Sequence, residues 1–234
     1  MSQELCDKCN GTGWVVKERK GQEFASRCKC QIEDLALKKG ELANIPQRFL
    51  GAEVKDYRPD TQDPSQNRVK NIVEKFIQDY PAVEKGLLLQ GSIGLGKTRL
   101  LCSIGFELIK NKHIDVYYID WNDLVREMRT GEDHGSRDFQ AINRLINRLI
   151  KVELLLFDEL GASKVSPWVH DNIYFVINKR YNQRKVTVCA TNFYDDSSEG
   201  KESLEQRIGD RIRSRLYEMT KTVEIRGNDF RLNY

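Results

Sequence analysis

The chain has 234 residues, 39% hydrophobic and 31% charged, with a formal net charge of +3. That is enough for one α/β domain of ordinary size plus a small appendage, and the balance excludes a low-complexity chain. The mild positive charge is compatible with a nucleic-acid partner without requiring one. No run approaches the roughly 18 apolar residues of a membrane span, and MSQELCDKCN has no apolar secretory core, so a cytoplasmic protein with no membrane partner is expected.

Cys6, Cys9, Cys28 and Cys30 crowd the first thirty residues, while Cys102 and Cys189 stand alone in apolar segments and read as small core residues. In a reducing compartment, clustered cysteines favour a metal over disulfides. Residues 1–50 are expected to form a cysteine-rich first unit: β-like WVV and EFA around the turn-forming RKGQ, then a helix over QIEDLALKKGELANI. The polar stretch KDYRPDTQDPSQN, residues 55–67, reads as a linker or a long surface connection, so 51–66 is expected to be the linker and 67–234 the main domain. Val69, Ile72, Val73, Phe76 and Ile77 then repeat at helical spacing.

From there strands and helices alternate. KGLLLQG precedes the helix KTRLLCSIGFELIKN, and IDVYYID precedes WNDLVREMR and RDFQAINRLINRLIK. VELLLFDEL precedes VSPWVHDNIYFVINKRYNQ, KVTVCATN precedes one long helix SLEQRIGDRIRSRLYEM, and KTVEI closes the set. Apolar β-rich runs alternating with helices predict an α/β fold with a largely parallel sheet covered on both faces.

Gly91, Gly96, Lys97 and Thr98 satisfy G-x-x-x-x-G-K-[ST] between a strand and a helix. Here Gly91, Ser92, Ile93, Gly94, Leu95, Gly96, Lys97, Thr98 and Arg99 would cradle the phosphates of ATP or ADP. Lys97 would reach the β- and γ-phosphates, and the Thr98 hydroxyl would hold Mg²⁺. LLLFDE supplies the second element: Asp158 as the other Mg²⁺ group and Glu159 as general base toward water. Asn192, at the end of VCATN, falls where open α/β sheets place ligands and could touch the γ-phosphate or orient the attacking water. Arg207, Arg211 and Arg215 recur every four residues beside the buried stripe Leu204, Ile208, Ile212, Leu216. Arg215 is the favoured arginine finger, to be inserted into a neighbouring subunit's nucleotide, with Arg211 second. The plain alternatives are a glycine-rich turn, a solvated loop edge and a wet arginine face.

Cradle, LLLFDE, ATN and DRIRSRL in this order resemble the AAA+ ATPases, and within them the initiator clade with its helicase loaders of the DnaC/DnaI kind. DWNDLVREMRTGEDHGSRDFQAINRLINRL is similar to that clade's extra helix, NIPQRF to the segment opening the loader core, and CDKCNGTGW…CKC to the loaders' amino-terminal domain. The resemblance implies an ATPase with its site between subunits. Its partners would be the replicative helicase, single-stranded DNA, and further copies in a ring or helical filament, or the initiator ATPase. It also implies Walker A roles for Lys97 and Thr98, Walker B roles for Asp158 and Glu159, sensor 1 for Asn192 and the finger for Arg215. Too few residues follow Met219 for the helical lid of other AAA+ proteins.

Four thiolates in Cys6-x₂-Cys9…Cys28-x-Cys30 suit tetrahedral Zn²⁺. Unmetallated or redox cysteines are the alternative. Arg126, Arg129, Arg144, Arg148 and Lys151 give the inserted helices a basic character for DNA, or simply a wet face, and Phe139 and Tyr194 are guesses for base stacking. Three rival functions stay open: a transposition helper ATPase of the IstB kind, a single-stranded DNA-binding protein with little turnover, and a metal-dependent adaptor. The first group generally lacks the cysteine domain.

Overall fold

The structure, a computed structural model, describes residues 6–59, 64–132, 136–196 and 202–230, and the side chains among these outside 130–138. β1 (Trp14–Arg19) and β2 (Gln22–Arg27) pair antiparallel as a hairpin. Lys20 and Gly21 at φ 55° and 77° make the two-residue turn whose twist matches the strands. Then follow α1 (Lys29–Leu42), single 3₁₀ turns at Gln47–Phe49 and Val54–Asp56, and α2 (Pro64–Asp79).

The main body alternates β3 (Gly86–Gln90), α3 (Lys97–Lys112), β4 (Val116–Asp120), α4 (Trp121–Glu132), α5 (Ser136–Lys151) and β5 (Leu154–Asp158). It continues with α6 (Pro167–Asn182), β6 (Thr187–Thr191), α7 (Leu204–Ile208), α8 (Asp210–Met219) and β7 (Thr220–Glu224). The five strands β3–β7 form one sheet in the order β4-β5-β6-β3-β7, and every pairing is parallel. β3, β5 and β6 are buried at every residue, which is why they read as unbroken apolar runs. One face packs Leu87, Leu89, Leu156 and Val188 against α1–α3, and the other packs Leu88, Leu155, Phe157 and Cys189 against α4–α8. Parallel strands put all their carboxyl ends on one edge, and the cradle, Asp158 and Thr191 stand there.

Two expectations are corrected. The stretch 51–66 is not a free linker as far as it is described: Val54 and Tyr57 are buried in the main core, and the Val54 N–H donates to Glu107 on α3 at 2.7 Å. Ala36, Ala43 and Ile45 belong to the same core, so packing runs continuously across the expected boundary at residue 50. Among the described residues, the hairpin of β1 and β2 contributes no side chain to this core.

The long helix 203–219 is two helices. Gly209, at φ 83° and ψ 149°, breaks it. His170 Nε2 lies 3.0 Å from the Ile208 carbonyl, and a Cβ on Gly209 would sit 2.6 Å from that same nitrogen. The break is invisible in the sequence because Leu204, Ile208, Ile212 and Leu216 are all buried on either side of it.

Candidate nucleotide site

The loop after β3 bends through Gly94 and Gly96, at φ 84° and 76°, a region that costs glycine nothing. Gly96 then caps α3, so the free N–H groups at that helix start face the loop. A Cβ on Gly91 would meet the Ile225 carbonyl at 2.3 Å, which reserves that position for glycine. Lys97 is buried, and its ammonium donates to the carbonyls of Gly91 at 2.8 Å and Ser92 at 2.6 Å. Ile93, Gly94, Leu95, Gly96, Lys97, Thr98 and Arg99 line a cavity of about 940 Å³, as do Asp158, Glu159 and Asn192. The expected cradle, carboxylate pair and strand-end amide therefore meet in one cavity, with Gly91 and Ser92 behind it as lysine acceptors.

Asp158 is 2% exposed at the end of β5. Its Oδ1 accepts the Glu159 N–H at 2.9 Å and its Oδ2 the Tyr118 hydroxyl at 2.9 Å. Burial pushes its pKa up, opposed by hydrogen bonds from Thr98, Tyr118 and the Glu159 amide. A buried carboxylate beside the hydroxyl that opens α3 is a donor set suited to a hard divalent cation with phosphate oxygens. Glu159 follows at φ 49°, unusual for a residue with a Cβ, and it is exposed where Asp158 is not.

Several residues of the site carry no mark in the sequence. Arg48, Phe49, Tyr57, Arg58 and Phe230 line the same cavity, giving it one aromatic and basic wall. Tyr57 and Phe230 meet edge to face, ring centres 6.0 Å apart, and the Phe230 N–H donates to Gly94. Gln90 donates to the Phe193 carbonyl at 2.7 Å, which fixes the backbone just beyond Asn192. Only the NIPQRF segment hinted at any of these.

The arginines of α7 and α8 separate into two groups. Arg207 turns inward: it donates to the carbonyls of Gly161 at 2.7 Å and Ala162 at 2.8 Å, just past Glu159, and lies over the Phe193 ring. Arg213, which the spacing argument passes over, is buried and paired with Asp195 through two nitrogens. Arg211 and Arg215 lie on α8 over the rings of Tyr174 and Tyr181, at 3.9 and 4.4 Å, and line no part of this chain's own cavity. Of the basic residues proposed for DNA, Arg126 pairs with Asp123, and Arg148 pairs with Asp115 through two nitrogens while lying over Tyr117. Arg129 donates to the Lys164 carbonyl.

The four cysteine sulfurs lie within 4.8 Å of one another, with Cys6–Cys28 at 3.8 Å and Cys9–Cys30 at 3.5 Å. A tetrahedron of Zn–S bonds near 2.3 Å has edges of about 3.8 Å, so the donor set fits zinc. The Cys9 thiol works against its burial and is brought down to about 7 by the N–H groups of Gly13 and Gly11 and by neighbouring thiols.

A parallel sheet in this order, with a phosphate cradle after β3 and a buried aspartate at the end of β5, defines a nucleotide-binding P-loop domain of the AAA+ type. The chain belongs to the family of IstB-like ATP binding proteins, whose sequence model matches residues 22–234. It is 22% identical over 240 residues to the phage-like element PBSX protein XkdC of Bacillus subtilis (strain 168), covering 98% of this chain and 85% of that protein. It is 30% identical over 156 residues to the replicative helicase loader DnaI of the same strain, covering 65% of this chain and 47% of that protein. A crystal structure of the DnaC helicase loader superposes with a TM-score of 0.66 at 28% identity, covering 77% of this chain and 100% of that one. Among the described residues no helix is long and apolar enough to cross a membrane.

Proposed function

We propose that this protein is an ATP-dependent loader that places the replicative DNA helicase on single-stranded DNA. One observation carries the reading: the whole of the solved DnaC helicase loader is matched by this chain's fold and, at 28% identity, by its sequence. The N–H groups of the 91–98 loop and Lys97 hold the phosphates of ATP. Thr98 and Asp158 would hold Mg²⁺, which when bound would supply positive charge beside the phosphates. Glu159 accepts the proton of the attacking water, and Asn192 orients that water. Arg215, with Arg211 beside it, lines no part of this chain's own cavity and serves a neighbouring copy in a ring or helical filament, or the initiator ATPase. The cysteine hairpin, folded around Zn²⁺, is the contact for the helicase; its strands expose Trp14, Val16 and Phe24.

The experiment is capture on immobilised replicative helicase from the source organism, using the full chain and a Cys28→Ser/Cys30→Ser variant. The full chain is expected to bind and the variant to lose about tenfold or more in affinity, since the hairpin has too little core to fold without its metal. No capture of the full chain overturns the loader. Capture that survives the double substitution overturns the hairpin's role alone. Deleting residues 1–50 is a poorer test because it strips Ala36, Ala43 and Ile45 from the core. The second reading, an IstB-like transposition helper, is favoured by the family match itself and predicts capture by a transposase instead.

A further inference from the structure

We propose that Tyr118 is the positioning residue of the metal-binding carboxylate Asp158, and that it is held in register by the chain leaving the cysteine unit. The inference rests on the reading of Asp158 as a Mg²⁺ ligand and extends it to regulation of that site.

β4 is the edge strand of the sheet, yet its outer edge is occupied at residue 118. The Tyr118 N–H donates to the Ala43 carbonyl at 2.7 Å, and Asn44 Nδ2 donates to the Tyr118 carbonyl at 3.1 Å. Asn44 reaches this geometry at φ 61°, a conformation that asparagine tolerates better than most residues. From there the chain passes the buried Ile45 into the turn Gln47–Phe49, where Arg48 and Phe49 line the nucleotide cavity. Residues 43–49 thus fasten the end of α1 to the Tyr118 backbone and then to the cavity wall.

The side chain of Tyr118 completes the connection. Its hydroxyl donates to Asp158 Oδ2 at 2.9 Å, while Oδ1 takes the Glu159 N–H. With both oxygens engaged, the carboxylate plane is set, and the Thr98 hydroxyl hydrogen-bonds to the same group. Asp158 is buried, so water is poorly placed to replace the phenol. Orienting partners of this kind typically govern how tightly a ligand set takes its metal. A shift of α1 when the cysteine unit engages a partner would reach Asp158 through a single side chain.

The test uses the full-length Tyr118→Phe protein and a fluorescent ADP analogue, titrated in EDTA and across a Mg²⁺ series. Affinity in EDTA is expected to stay within about twofold of the parent, while the Mg²⁺ concentration giving half the metal-dependent enhancement rises about tenfold or more. Asn44→Gly keeps the backbone conformation, the phenol and the Ala43 carbonyl, and removes only the side-chain half of the latch. It is expected to shift the Mg²⁺ midpoint in the same direction by less, and it carries the test if Tyr118→Phe proves poorly folded. Unchanged Mg²⁺ midpoints in both variants overturn the proposal while leaving the nucleotide site intact. A parent protein whose ADP binding ignores Mg²⁺ overturns the metal reading of Asp158 and this proposal with it.

Discussion

The Arg180 guanidinium lies wholly inside the protein and is satisfied largely by backbone. Nη1 donates to the carbonyls of Leu149 at 2.8 Å and Val152 at 2.9 Å, Nη2 to Val186 at 2.6 Å, and Nε to Thr187 Oγ1 at 2.9 Å. Leu149 belongs to the last turn of α5, where the helix dipole favours a cation. Burial lowers Arg180 to about 10, which leaves it charged at neutral pH. It binds together the amino ends of β5 and β6, whose far ends deliver Asp158 and Asn192. Arg180→Met is expected to cost about 3–5 kcal/mol by orphaning these carbonyls. In thermal unfolding that is a melting point about 10 °C lower for a domain of this size. A loss under about 2 °C would show that the carbonyls find other donors. Nothing in INKRYNQ distinguishes this arginine from a wet helix end, whereas Lys97 is legible from the glycine spacing before it, and Asp158 and Asn192 because each is a polar residue at the end of an apolar run. Partners such as Tyr118 and Arg213 stay hidden for the same physical reason as Arg180: sheet register and helix packing choose them, not local sequence.

The α7–α8 pair joins the two sides of the proposed chemistry. Ser203 and Gln206 form a reciprocal cap that starts α7, Arg207 fastens it to the loop beyond Glu159, and α8 then carries Arg211 and Arg215 outward. Gly209 sets the angle between them. In Gly209→Ala, the positive φ and the clash with His170 are expected to cost about 1–3 kcal/mol and to re-aim α8. The expected outcome is ADP binding within a few-fold of the parent with ATP turnover lost, measured by analogue titration and phosphate release. Full turnover would mean that the break does not aim the arginines. Strand and helix order along the chain is legible because the buried parallel strands read as short unbroken apolar runs and the helices as longer, spaced apolar stripes. The break is not, because a helical stripe survives a one-residue interruption. The packing of α1 and of residues 51–57 onto α3 is hidden in turn by the polar composition around Val54 and Tyr57.

Taken whole, the molecule is a three-layer α/β body whose carboxyl edge holds a phosphate cradle, with a cysteine hairpin tied to it through α1. The cavity holds the lysine, the carboxylates and the strand-end amide, while Arg211 and Arg215 stand outside it. The central claim is that each subunit supplies half of an ATP site and a neighbour supplies the rest. The direct measurement is steady-state ATP hydrolysis by a 1:1 mixture of Lys97→Ala and Arg215→Ala subunits, in the presence of single-stranded DNA. Each variant alone is expected to be inactive, because one lacks the phosphate cradle and the other the finger. In the mixture about a quarter of randomly formed interfaces pair an intact cradle with an intact finger, so activity should return to about a quarter of the parent's. A mixture no more active than its separate components would contradict a site shared between subunits.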